Sequence, residues 1–99
     1  MDGGNAVDAA VTAAATLSVV EPTMTGMGGD LFAILHNGQT KKIHALNASG
    51  RAPHSASLER LAAAVGPGEP MPESGPLSVT VPGAVDGWQQ LLRNHGTIS

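Results

Sequence analysis

Ninety-nine residues are enough for one domain, but Phe32 and Trp88 are the only aromatic residues, and large rings normally supply much of a core's buried area. With 13 glycines and 7 prolines, a chain this short is expected to need partner segments to complete a core. The formal net charge is −3, the five Lys and Arg are scattered, and there is no cysteine; this excludes a basic nucleic-acid surface, a disulfide framework and thiolate chemistry.

Asn5 reads as a helix N-cap with Asp8 three residues on, where the helix dipole favours negative charge. The helix is predicted over residues 6–20, with Val7, Ala10, Val11, Ala14 and Leu17 on one apolar face. Its other positions are largely alanine, so cover on more than one side is expected. Pro22 ends it by disfavouring helical geometry at Glu21. A glycine-containing loop over residues 23–30 leads into the apolar run 31–35, the pattern of a strand buried on both faces. Asn37 and Gly38 signal a hairpin, and residues 42–46 read as the returning strand. A second helix is predicted over 55–65, capped by Ser55 or Ser57. Residues 66–75 form a loop with three prolines, and 78–81 a short strand or extended segment. A third helix is predicted over 84–94, with Gly96 suited to its C-terminal cap. No apolar run is long enough to cross a membrane. Residues 1–4 have neither the basic nor the apolar region of a signal peptide.

Gly26-Met27-Gly28-Gly29-Asp30 matches neither a dinucleotide nor a Walker A loop and precedes a strand, so a turn or close backbone approach is the expected reason for its glycines. His36, His44, His54 and His95 have no metal-ligand spacing. His36 and His44 are candidate neighbours on the hairpin. No metal and no cofactor is expected. The carboxylates, Asp30 and Asp86 among them, form no pair that implies acid–base work, and no self-contained hydrolytic centre is visible. Arg51 stands out. It follows the second strand in a Gly-Arg-Ala-Pro turn. There it either clamps a substrate carboxylate through two parallel hydrogen bonds or ties the loop to its surroundings.

The order of these elements resembles the start of the large subunit of γ-glutamyltransferases. The matching residues are densest at 3–10, 20–22, 26–32 and 52–53, and they return at Ser78-Val79-Thr80-Val81-Pro82-Gly83, Gly87-Trp88 and His95-Gly96-Thr97. Several separated matches in one order are more specific than a single motif. The resemblance implies a mixed α/β (α+β) fold, as a fragment of the four-layer αββα sandwich of N-terminal-nucleophile hydrolases, with residues 1–99 a partial domain. It implies an enzyme that cleaves or transfers an acyl group from γ-glutamyl or related small amides. After self-cleavage, the new N-terminal threonine of the small subunit is the nucleophile, and an acyl-enzyme forms. That threonine lies in a Thr-Thr-His-like segment absent here, so no catalytic residue is assigned in this chain and the chain alone is expected to be inactive. The partners implied are a small-molecule amide substrate, the remaining large-subunit segments and the small subunit of the same precursor.

One departure bears on specificity. Glutamyl-transferring members carry an Arg-Glu pair before the Ala-Pro of this loop, and the Arg holds the substrate α-carboxylate. Aligned on Ala52 and Pro53, Ser49 stands in the place of that Arg, Gly50 in the place of the Glu, and Arg51 is displaced by two positions. This version looks like the branch that includes amidohydrolases of small acids such as oxamate. Ser49 and Arg51 are the candidate substrate-binding residues, and glutathione is expected to be a poor substrate. A non-catalytic binding or assembly module of the same family is the alternative.

Overall fold

The computed structural model describes residues 3–98. Asn5 lies in extended backbone ahead of α1 (Ala6–Val20), and its Oδ1 accepts from the N–H groups of Val7 and Asp8 at 2.8 and 3.2 Å. Asp8 returns the bond, accepting the Asn5 N–H at 2.9 Å, so the reciprocal capping box forms as its residues predict. The helix stops at Glu21, whose backbone leaves the helical region next to Pro22.

Asp8 also reaches the far end of the chain. Its carboxylate accepts from the Thr97 N–H at 2.9 Å, the Thr97 hydroxyl at 2.8 Å and the Ile98 N–H at 3.3 Å. Asn5 Nδ2 donates to the His95 carbonyl beside it. This clamp sets the rotation of α1. Val7, Asp8, Val11, Ala14 and Ser18 turn inward, while Ala10 and Leu17, expected on that face, are exposed. Among residues 3–98 the helix is covered on one side only.

The Asn5 N–H first, then the Thr97 hydroxyl and N–H, lower the Asp8 pKa from 3.8 to about 2, against an opposing effect of burial. The folded form thus binds this proton less readily than the unfolded chain does. The clamp's contribution is complete above about pH 4 and is lost as pH falls towards 2. Urea melts of the full-length protein across this range are expected to show that loss. In Asp8→Asn the midpoint should be lower at neutral pH and the acid dependence weaker. An unchanged pH profile in the variant would remove the clamp from the account.

Strands β1 (Leu31–Asn37) and β2 (Lys42–Ala48) pair antiparallel in register Leu31↔Ala48 to Asn37↔Lys42. The hairpin is as expected, but its turn is longer than a two-residue Asn-Gly turn. Asn37 Oδ1 accepts from the Gln39 and Thr40 N–H groups, and Lys41 takes the positive φ of 58°. The side chain of Asn37 organises the loop, and Gly38 is not required to be left-handed. β1 alternates rather than burying both faces. Leu31, Ala33 and Leu35 face inward; Phe32 and Ile34 are 69% and 81% exposed, and Ile43 joins them at 72%. No element of residues 3–98 covers that outer face.

α2 (Leu58–Val65) is capped by Ser57, whose hydroxyl accepts the Arg60 N–H, and ends at Gly66 with φ 108°. It stands apart from the sheet, with Leu58 exposed. Of the two readings for 78–81, the extended segment holds and the strand does not. Pro76–Ser78 make a single 3-10 turn, and the following residues run extended without joining the sheet.

α3 (Ala84–His95) packs on the inner face of the hairpin through Ala84, Gly87 and Leu91. Its C-terminal Gly96 has φ −74°, so a left-handed cap is not the reason for glycine here. A Cβ would instead press on the Leu92 carbonyl at 2.7 Å and Asp8 Oδ1 at 2.8 Å. Gly87 is the contact glycine of the helix. A Cβ there would lie 2.7 Å from Ala48 Cβ and 3.0 Å from Leu31 Cδ2. Gly87→Ala gains about 1 kcal/mol in helix propensity, but overpacking costs about 1–3 kcal/mol. A net loss is expected in denaturant melts, with Ala48→Gly on top restoring part of it. A stabilised Gly87→Ala would show that the layers can separate freely.

Candidate functional site

The hairpin register builds the site. Leu31 pairs with Ala48, so Asp30, one residue before β1, comes beside the residues that follow β2. At the end of β2 the Asn47 side chain accepts the Ser49 N–H at 2.9 Å and bends the chain. Asp30 then takes three donors. Its Oδ1 accepts the Gly50 N–H at 3.0 Å and the Thr80 hydroxyl at 3.1 Å, and its Oδ2 accepts the Ser49 hydroxyl at 3.2 Å. The Gly50 N–H lowers the Asp30 pKa most, burial opposes it, and the Thr80 and Ser49 hydroxyls add to the lowering.

Two backbone connections complete the junction. The Val81 N–H donates to the Arg51 carbonyl at 2.9 Å. The Gly29 carbonyl accepts from Gly83 and Ala84 at 3.1 and 3.0 Å, which seats the start of α3 on the loop before β1. Gly50 is required by this approach, because a Cβ would overlap the Val81 carbonyl. Gly26 and Gly28 have neither a positive φ nor a neighbour that a Cβ would meet, and nothing among the described residues explains them.

Against this junction lies an open groove of about 840 Å³ lined by Ser49, Arg51, His54, Val81, Asp86 and Gln90, among others. Both candidate residues border it, with Arg51 exposed and Ser49 half-buried. The groove holds a guanidinium, a carboxylate on Asp86 and the Ser49 oxygen, which suits a small ligand carrying a carboxylate and an N–H donor. It offers no activated nucleophile of its own. Ser49 is bonded to a carboxylate whose proton affinity three donors hold down, and such a group is a weak general base.

The histidines are dispersed. His44 faces inward and packs its ring 4.9 Å from that of His95, while His36 lies on the opposite, exposed face of the hairpin, so the two are not neighbours in one site. A further groove of about 700 Å³, lined by Val11, Val19, Val20, Leu92 and Ile98 among others, runs along α1 away from Ser49 and Arg51.

Asp30 and Thr80 are the residues of this junction that sequence reasoning missed. The signal for Asp30 was present: a hairpin register drawn through a four-residue turn sets it next to Ser49. Thr80 lies 50 residues further on and left no local trace.

Solved structures place this arrangement within the N-terminal-nucleophile hydrolases. The cephalosporin acylase from Bacillus halodurans superposes with a TM-score of 0.86 at 44% identity, over 97% of this chain and 17% of that chain. The profile of the γ-glutamyltranspeptidase family matches residues 1–99, and the chain belongs to that family. It is 40% identical over 99 residues to the glutathione hydrolase-like YwrD proenzyme of Bacillus subtilis, covering 98% of this chain and 18% of that protein. It is 41% identical over 93 residues to the oxamate amidohydrolase proenzyme of Klebsiella pneumoniae, covering 93% of this chain and 17% of that protein. The chain thus spans less than a fifth of the length of these relatives. The mixed helix–strand fold expected from the sequence is that of the family's hydrolase and acylase structures.

Proposed function

We propose that residues 1–99 form part of the large subunit of an amidohydrolase or acyltransferase of this family, and that Arg51 and Ser49 contact its substrate. The observation that carries the reading is the groove wall: Arg51 stands exposed beside Ser49, in the loop where glutamyl-transferring members carry their carboxylate-binding arginine. The similarity to a relative named for oxamate supports small amide-bearing acids as the substrate class. In this reading a threonine outside the chain attacks the amide carbonyl, ammonia or an amine leaves, and water or an acceptor amine releases the acyl group. Arg51 holds the carboxylate and brings the amide to the nucleophile.

The test is steady-state kinetics of the full-length protein. Oxamate is expected to be turned over, and glutathione and γ-glutamyl-p-nitroanilide to be poor substrates. Efficient glutathione turnover would overturn the substrate assignment. A full-length protein inert towards all of these amides would return the chain to a binding or assembly role.

A further inference from the structure

Ser49 stands where an arginine would hold a carboxylate, and its bond to Asp30 gives it a different chemistry from a weakened arginine. A serine hydroxyl has one proton and two lone pairs, and an ionised carboxylate only accepts. Asp30 is met by donors from two separate segments, Gly50 and Ser49 on one side and Thr80 on the other. Were Ser49 to point its proton at a ligand carboxylate instead, its lone pairs would face Asp30 Oδ2 at 3.2 Å, acceptor against acceptor. The hydroxyl hydrogen therefore points at Asp30, which leaves the Ser49 oxygen an acceptor on the groove wall.

We propose that Asp30 and Ser49 form an acceptor subsite: Asp30 positions the Ser49 hydroxyl by accepting its hydrogen bond, and Ser49 Oγ receives a hydrogen bond from an amide N–H or ammonium group of the ligand. This rests on the reading of the groove as the seat of a small amide-bearing acid. Asp86, also lining the groove, adds negative potential that favours such a donor, while Arg51 takes the carboxylate. The wall thus reads the two ends of the ligand with opposite polarity. Ser49 is the contact; Asp30 is a positioning residue that acts through it.

Oxamate and pyruvate test this directly. They share size and carboxylate and differ by an amide NH2 against a methyl group. In the full-length protein the KM for oxamate is expected to lie about tenfold below the competitive inhibition constant of pyruvate, the worth of one hydrogen bond. Ser49→Ala should bring the two within about twofold, through a raised oxamate KM. Ser49→Thr keeps the hydroxyl and should keep the preference. Asp30→Ala should narrow the preference and raise amide hydrogen exchange at Gly50, with α1 and α3 unaffected. A preference that survives Ser49→Ala, or Gly50 exchange unchanged in Asp30→Ala, overturns the proposal. A parent that binds both acids equally overturns the subsite alone, and a parent that binds neither overturns the substrate reading with it.

Discussion

Arg51→Ala in the full-length protein is expected to lower kcat/KM for oxamate by about 30- to 100-fold, with most of the loss in KM. Truncating one partner of a hydrogen-bonded charge pair costs about 2–5 kcal/mol when the pair is desolvated. The low end applies here, because the groove is open in residues 3–98 and Arg51 is exposed. The carboxylate does not change charge during amide cleavage, so its partner supports ground state and transition state alike and the effect falls on KM. Arg51→Lys should recover only part, since an ammonium cannot make the two parallel bonds of a guanidinium. Ser49→Arg should raise kcat/KM for γ-glutamyl compounds. That gain should grow when Asp30 is also replaced by serine, because Asp30 otherwise captures the new guanidinium. If Arg51→Ala leaves oxamate kinetics unchanged, Arg51 serves the loop and not the ligand.

Residues 1–99 in isolation are expected to show no cooperative thermal transition and no turnover of oxamate or γ-glutamyl-p-nitroanilide. The accessible surface is 7697 Å², whereas a compact protein of this mass exposes about 5,200 Å². The radius of gyration is 17.2 Å, against about 13 Å for a compact chain of this length. Among the described residues the buried apolar ones are Val11, Ala48, Ala84 and Leu91, two of them alanines. That is too little burial to offset the entropy of ordering the backbone. Phe32, Ile34 and Ile43 form an apolar face with nothing described over it. Circular dichroism melts and amide resonance dispersion decide the matter. A sharp transition with dispersed resonances would show that the alanine-rich packing suffices, and turnover that survives repurification would place a nucleophile within the chain.

The local rules were legible in the residues. Asn5 and Asp8 announced the start of α1, Pro22 its end, and Asn37 the hairpin, because each acts on backbone within four positions. What escaped was set by distant partners. The inward face of α1 follows Asp8, which is held by Thr97, 89 residues on. The continuous apolar run of β1 implied two covered faces, yet residues 3–98 cover one. Val79 and Val81 look like strand residues, but no described strand offers them a ladder; the Val81 N–H bond to Arg51 and the Thr80 hydroxyl on Asp30 hold the segment instead. Ser49 and Arg51 are legible as candidates from the loop; the Asp30 carboxylate that bonds Ser49 is not, because its partners lie 19, 20 and 50 residues away.

The bonds from Asn5 and Asp8 to residues 95–98 join segments about 90 residues apart, and this imposes an order in time. At about 5–20 residues per second of synthesis, α1 leaves the ribosome several seconds before Thr97 exists. Its first turn can cap itself with its own Asn5 and Asp8, but its inner face has no helix to meet. The hairpin closes over a short loop and precedes it. Within residues 3–98 the clamp therefore forms after the hairpin, and during the wait the aliphatic stripe of α1 is open to chaperones and to neighbouring chains.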